Sequence, residues 1–210
     1  MMEDYTDIGA TTPEALEISR KSRQLISVMI GDGTLEDRIK QRCVIATGDH
    51  SVADILRFHD RPDEAGLLAL EKGAPIFVDI KMVQAGVLKR GHKSPIGAFI
   101  GQGDALATAQ GITRTSAGVM TLQEKLSGSI IVIGNAPSAL LTLCDLMETG
   151  KVLPRLVIGA AVGFVNAAES KERLRGIDVP SISTAGTRGG TPIAVAAINE
   201  IINAHARTKH

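Results

Sequence analysis

The chain has 210 residues, 44% of them hydrophobic and 2% aromatic, with 23 basic and 23 acidic side chains. This composition excludes a disordered chain and predicts an aliphatic core, while zero net charge and few aromatic rings argue against a nucleic-acid-binding surface. No apolar run approaches the roughly 20 residues of a membrane span, and the acidic amino terminus and two cysteines without metal-ligand spacing favour a cytoplasmic protein that holds no metal.

The amino-terminal half predicts one helix followed by alternating strands and helices. The first helix begins after Thr12, a hydroxyl cap followed by Pro13 at the first helical position. The apolar segment 43–46 predicts a short buried strand that runs into a turn at 47–50, and a helix is expected over 51–58. The segments that follow are a helix over 62–72, a strand over 75–80 and a strand over 95–101.

The carboxyl-terminal half repeats this alternation, which predicts a parallel sheet covered by helices on both faces. No linker or repeat interrupts the order, so we expect residues 1–210 to form a single α/β domain. The expected helices are 104–110, 115–126, 138–147, one that ends near 172, and 191–204, and the expected strands are 129–133, 156–158 and 181–184.

Four glycine-rich loops follow the predicted strands, at the sheet edge where ligands of open α/β sheets bind. Glycine lets backbone amides approach a ligand, and the following helix N-terminus favours a carboxylate or phosphate. The alternative is that the glycines only make tight turns. The loops are TGDH (47–50), IGNAPS (133–138), GAAVGF (159–164) and AGTRGGT (185–191).

The motifs argue against a nucleotide cofactor, because neither the dinucleotide fingerprint nor the Walker sequence occurs. A nucleotide-binding α/β enzyme is therefore the weakest alternative. His50 follows a predicted strand end, where catalytic groups concentrate, although a surface or capping role is the alternative. Arg114 stands among small residues at a predicted helix start and suits a carboxylate; its alternative is an ordinary surface ion pair.

Six segments of distinctive sequence are spread over nearly the whole chain: EISRKSRQLI (17–26), PIFVDIKMVQAGV (75–87), GITRTSAGV (111–119), IGNAPSAL (133–140), GAAVGFVNAAESKERL (159–174) and VPSISTAGTRGGTPIAVAAIN (179–199). In this order they resemble the precorrin-8X methylmutase family of cobalamin biosynthesis. The resemblance implies a flavodoxin-like, three-layer α/β/α fold and a homodimer. It also implies an isomerase that needs no cofactor and moves a methyl group from C11 to C12 of a tetrapyrrole, precorrin-8X or cobalt-precorrin-8.

The substrate carries many carboxylates, which would give Arg114 and the helix N-termini a role. The resemblance assigns the family's substrate-contacting serine and arginine to Ser22 and Arg114. The full set of candidate substrate-binding residues is Ser22, Thr47, Asp79, Met82, Arg114, Asn135, Gly189 and Gly190.

One position departs from the family in a way that bears on catalysis. The family's catalytic histidine stands in a segment like R-V-I-H-A-T-G-D, where the resemblance implies that it protonates a ring nitrogen. Here the segment is 42–49, and Ile45 occupies the histidine position. Because isoleucine transfers no proton, His50 becomes the candidate catalytic acid. The alternative is a non-catalytic corrinoid-binding relative that has lost the acid.

Overall fold

A computed structural model describes residues 7–208, in which helices and strands alternate along most of the chain. The helices are α1 (Pro13–Ile30), α2 (Leu35–Thr47), α3 (Val52–Ile55), α4 (Pro62–Glu71), α5 (Lys81–Gly86), α6 (Asp104–Gln110), α7 (Arg114–Thr121), α8 (Gln123–Leu126), α9 (Pro137–Glu148), α10 (Ala167–Arg175) and α11 (Thr191–Arg207). The strands are β1 (Leu56–His59), β2 (Ile76–Val78), β3 (Ile96–Ala98), β4 (Ile130–Ile133), β5 (Leu156–Gly159) and β6 (Ser181–Thr184).

The strands form one six-stranded sheet in the order β1-β6-β5-β4-β2-β3. Strands β2 to β6 are parallel, and β1 pairs with β6 in the antiparallel direction, with Leu56 opposite Thr184. Taken in chain order, the parallel strands have the flavodoxin-like arrangement 2-1-3-4-5, and the topological switch point lies between β2 and β4. This confirms the predicted fold class and adds an antiparallel edge strand that was not predicted.

Each face of the sheet contributes to its own aliphatic core, as expected for buried parallel strands. Ile130 and Val132 face the core that includes α2, α4 and α11, whereas Ile131 and Ile133 face the core that includes α7, α9 and α10. The three-layer α/β/α architecture is therefore confirmed. No helix within residues 7–208 is both long enough and apolar enough to cross a membrane.

The strand predicted over 43–46 is wrong, because these residues form the end of helix α2. A capping box starts this helix: the Thr34 side chain accepts from the Asp37 amide, and the Asp37 carboxylate accepts from the Thr34 amide. Gly48 ends it in the left-handed conformation, at φ 65°. The apolar run is buried on one side of a helix, where Cys43 and Val44 belong to the core shared with α11.

The helix predicted over 51–58 is also wrong. Helix α3 lasts only from Val52 to Ile55, and the chain then turns into strand β1, where Leu56 is buried and alternates with a more exposed Arg57. The strand pairs with β6, and this tertiary contact overrides the local helical pattern. The helix predicted over 115–126 is divided at Leu122 into α7 and α8.

Candidate active site

The crevice at the topological switch point is closed by the carboxylate of Asp79, which follows β2. Its Oδ1 accepts from the amides of Ile80 (3.0 Å) and Gly134 (3.1 Å), and its Oδ2 accepts from those of Asn135 (2.7 Å) and Ala136 (2.8 Å). Asp79 is fully buried, so burial raises the pKa of its carboxyl, while the four amides partly offset this effect. Asp79 thus binds the amides after β4 that an anionic ligand would otherwise contact.

The three strand-to-helix loops after β4, β5 and β6 are joined into one surface by backbone hydrogen bonds. The Val162 amide donates to Asn135 O (3.4 Å) and the Gly190 amide to Ala160 O (2.7 Å), while Gly163 donates to Thr187 O (3.1 Å). Gly189 is required at this contact: a Cβ there would lie 2.4 Å from Ala160 O. Asn135, Gly189 and Gly190 therefore lie in one continuous group of loops at the carboxyl ends of the parallel strands, which we call the carboxyl edge.

The TGDH turn reaches the same edge although it follows helix α2 and not a strand. Arg188, in the loop after β6, forms an ion pair with Asp49 and donates to the Ser51 hydroxyl (2.7 Å). The hydrogen bonds from Ser51 and the Arg188 guanidinium hold the pKa of Asp49 below its usual value. His50 lies between Asp49 and Ser51 in the sequence and is exposed. Ile45, 37% exposed, lies in the last turns of α2.

A buried lysine is hydrogen-bonded to the end of β6 and to the loop that follows it. The Lys171 side chain is fully buried, and its Nζ donates to the Thr184 hydroxyl (3.0 Å) and to Arg188 O (2.6 Å). Burial, helped by the nearby positive charge of Arg175, lowers the pKa of Lys171 to about 8. Arg188 is therefore held at its carbonyl by Lys171 and at its guanidinium by the TGDH turn.

Arg114 begins helix α7 and is paired with Asp104 at the start of α6. Its Nε and a terminal nitrogen donate to the two carboxylate oxygens at 2.9 and 2.7 Å, and both side chains are more than half exposed. The hydrogen bond from Arg114 lowers the pKa of Asp104. The hydroxyls of Thr113 and Ser138, 2.8 Å apart, join the start of α7 to the start of α9, so Arg114 lies at the carboxyl edge.

The remaining candidates are placed differently. Met82 is 67% exposed in α5, directly after the β2 end. The Thr47 hydroxyl donates to Cys43 O within α2 (2.8 Å). Ser22 is half-buried on α1, where its hydroxyl donates to Ile18 O (2.9 Å), and no hydrogen bond within residues 7–208 links it to the carboxyl edge.

Sequence reasoning missed four features of this edge: the roles of Asp104, Lys171 and Arg188, and the exposure of the loop after β5. In that loop Phe164 is 96% exposed and Val165 76% exposed, so the edge carries apolar as well as polar surface. The position of Arg188 in a glycine-rich loop was a usable signal. Lys171 offered none, because a lysine in a charged helical segment is normally solvated.

Known proteins are similar to this chain in both sequence and architecture. The model of the precorrin-8X methylmutase family matches residues 17–204. The cobalt-precorrin-8 methylmutase of Methanocaldococcus jannaschii is 39% identical over 207 residues, covering 93% of this chain and 96% of the relative. The precorrin-8X methylmutase of Pseudomonas aeruginosa is 39% identical over 173 residues, covering 79% and 82%.

A solved structure has the same fold over most of its length. The precorrin-8X methylmutase of Thermus thermophilus superimposes with a TM-score of 0.84 at 34% sequence identity, covering 91% of this chain and 97% of that one. The family match, the relatives and the structural likeness agree over almost the entire chain, and the chain belongs to the precorrin-8X methylmutase family.

Proposed function

We propose that this protein is an isomerase of cobalamin biosynthesis that moves a methyl group from C11 to C12 of precorrin-8X or cobalt-precorrin-8. The observation that carries the proposal is the carboxyl edge itself, where the loops after β4, β5 and β6 are hydrogen-bonded into one surface. The relatives named above carry the corresponding activity in their names. We also propose a cytoplasmic location, which the two free, buried thiols of Cys43 and Cys144 support.

The edge has the two kinds of surface that a flat, polycarboxylate macrocycle needs. Phe164, Val165 and Met82 offer exposed apolar side chains for the ring faces. Arg114 offers a planar guanidinium for a carboxylate, and substrate binding would replace its exposed partner Asp104. At this edge Asn135 is exposed, Gly189 is half-buried and Gly190 is buried, and Thr47 is exposed at the end of α2.

The proton for the rearrangement comes from His50 in this proposal. The turn that carries His50 is fixed at the carboxyl edge by the Asp49–Arg188 ion pair, and the His50 side chain is exposed there. The family position, Ile45, lies in the preceding helix turn. A general acid contributes about 10²–10⁴-fold to the rate of a reaction of this kind.

The test is a turnover assay with precorrin-8X, in which the product has the same mass as the substrate and methyl migration is read by ¹³C NMR. We expect His50→Ala to lower turnover at least about tenfold while corrinoid binding persists. Arg57→Ala, an exposed change in β1, serves as the control. Turnover that is unaffected by His50→Ala would exclude the imidazole as the acid.

The second candidate is a non-catalytic corrinoid-binding relative, which the replacement of the family histidine by Ile45 favours. In that case the wild-type protein binds corrinoid but turns over no substrate, and Ile45→His restores activity. A wild-type protein that neither binds corrinoid nor turns over substrate would contradict both candidates.

We also propose a homodimer, for which the outer face of α1 gives the best support. Its inner face is held by the buried ion pair of Arg23 with Glu200 of α11. Its outer face exposes Ile18, Leu25, Val28 and Met29, at 58–86% of their areas. A helix face this apolar is normally covered by another surface, and the half-buried Ser22 lies between Ile18 and Leu25 in α1.

A further inference from the structure

A surface cavity lies beside β3, the strand at the opposite edge of the sheet from β1, and we refer to this cavity as the hollow. Its volume is about 600 Å³, and its lining includes Lys81, Gln84, Lys89, His92 and Ser94. Gln84 anchors its wall to the sheet, because the side-chain amide donates to the Ile96 carbonyl of β3 (3.1 Å). Among residues 7–208, this lining contains two cationic side chains and no carboxylate.

The two lysines of this hollow are not neutralised by an acidic side chain. Within residues 7–208, Lys81 and Lys89 form no ion pair, and the Lys81 ammonium donates only to the neutral Gln84 side chain (3.2 Å). The arginines of the carboxyl edge differ, since Arg114 and Arg188 are both paired with aspartates. Among residues 7–208, the hollow therefore offers an anionic ligand two positive charges that are not paired with a carboxylate.

The inner residues suit an oxygen acceptor better than a metal. The Ser94 amide donates to His92 Nδ1 (3.1 Å), so the other ring nitrogen, Nε2, carries the proton and donates to Leu88 O (2.7 Å). The His92 ring is thus held in place through both of its nitrogens. Ser94 is 94% buried, and its hydroxyl finds no partner among residues 7–208. An unpaired buried hydroxyl is unfavourable, and a bound oxygen would relieve it.

Lys81 brings one end of the hollow close to the candidate active site, while Ser94 lies just before the start of β3. Lys81 follows Asp79 by two residues, and consecutive Cα atoms are about 3.8 Å apart, so the two Cα atoms lie within about 7.6 Å. Asp79 in turn binds the amides of Gly134, Asn135 and Ala136. A macrocycle lying on the glycine-rich loops can therefore extend a side chain over Lys81.

We propose that this hollow is a carboxylate-binding subsite, in which Lys81 and Lys89 hold one peripheral carboxylate of the tetrapyrrole and so help to select acids over esters or amides. The subsite rests on the proposed function, because it assumes that the macrocycle occupies the carboxyl edge. A free oxyanion such as phosphate has the same chemistry, and the experiment distinguishes the two sources.

The test compares two probes, cobyrinic acid with free carboxylates and its fully esterified derivative, titrated at low ionic strength and followed by the visible absorption of the corrinoid. We expect the double variant Lys81→Gln/Lys89→Gln to raise the Kd for the acid at least about fivefold, and to leave the Kd for the ester unchanged. The charge-matched control is Lys151→Gln, at an exposed lysine between α9 and β5. It should change neither the Kd for the acid nor the Kd for the ester.

Other outcomes overturn the subsite. An unchanged Kd for the acid in the double variant, or an equal loss for acid and ester, contradicts it even when the wild-type protein binds corrinoid well. Inorganic phosphate that shifts the Ser94 amide resonance but leaves corrinoid affinity unchanged assigns the hollow to a free oxyanion instead. A wild-type protein that binds neither corrinoid contradicts the proposed function and the subsite with it.

Discussion

At the scale of single residues, the carboxyl edge is characterised by charges that are already satisfied inside the protein. Asp79 accepts four backbone hydrogen bonds, Arg114 is paired with Asp104, and Arg188 is paired with Asp49. These pairs differ in exposure, and exposure decides which of them a ligand can displace. The Asp79 carboxylate is buried with its four amide partners, whereas the exposed pairs can exchange partners at little cost.

The Arg114–Asp104 pair gives a two-sided prediction. Arg114→Ala should weaken corrinoid binding by about 1.5–3 kcal/mol, the usual contribution of a hydrogen bond to a charged group. Asp104→Asn should strengthen binding, because it releases Arg114 from its internal partner. Both variants should leave the free energy of unfolding nearly unchanged, since the pair is exposed. Equal weakening by both variants, measured by corrinoid titration, would show that Arg114 acts only through Asp104.

Lys171 makes stability depend on pH. Its pKa of about 8 in the folded protein is below the ordinary 10.5, so the unfolded chain binds one more proton between these values and stability rises with pH across this window. The full effect is about 3 kcal/mol. The buried thiols of Cys43 and Cys144, whose pKa values are raised to about 12, act in the opposite direction above pH 9.

The Lys171 contribution is therefore measured as the difference between wild type and Lys171→Met in urea unfolding at several pH values. We expect the wild type to gain stability relative to the variant from pH about 8 to about 10.5. A difference that is constant with pH would show that Lys171 has an ordinary pKa.

At the scale of elements, the sequence predicted every parallel strand and most helices, and it failed around α2. Four apolar residues between charged segments fit a buried strand or a helix face equally well, so periodicity alone does not separate them. The signal that separates them is the capping box at Thr34 and Asp37, which lies well before the apolar run. Strand β1 could not be found locally, because its partner is β6.

In the candidate site, too, the features set by local sequence could be predicted and those set by distant partners could not. Glycine-rich loops after strands were recognisable, because their chemistry is local. Ion pairs such as Arg114 with Asp104 and Arg188 with Asp49 join distant segments, and no spacing rule predicts them. The turn at 47–50 was assigned to the carboxyl edge for the wrong reason, a preceding strand, and Arg188 is what brings it there.

Gly189→Ala tests the contact between the loops after β5 and β6. The new Cβ would lie 2.4 and 2.5 Å from the carbonyl oxygens of Ala160 and Ala161, and backbone atoms cannot move aside easily. We expect a loss of about 2–4 kcal/mol in the free energy of unfolding, together with weaker corrinoid binding. Gly33→Ala, where a Cβ meets nothing within 4 Å, is the control and should be close to neutral. Equal stabilities would mean that the loops separate freely.

At the scale of the whole molecule, the two cores are filled mainly by aliphatic side chains, which explains why the fold needs so few aromatic residues. The exposed apolar face of α1 predicts that two copies of the chain form a homodimer. Leu25→Glu on that face should give a monomer in sedimentation equilibrium at micromolar concentration, while the wild type sediments as a dimer. The Leu25 side chain is 73% exposed, so the folded chain itself should be unaffected in circular dichroism. A wild-type monomer under these conditions would contradict the homodimer.

The antiparallel pairing of β1 with β6 has a consequence for how the chain folds. Residues 56–59 are made early, but their partner, 181–184, is the last strand of the chain. The helix that completes the core around α2, α11, comes later still. Contacts between such distant segments are slow to form. We therefore expect β1 to stay unpaired during synthesis until β6 has left the ribosome, and α2 to stay partly uncovered until α11 has left it.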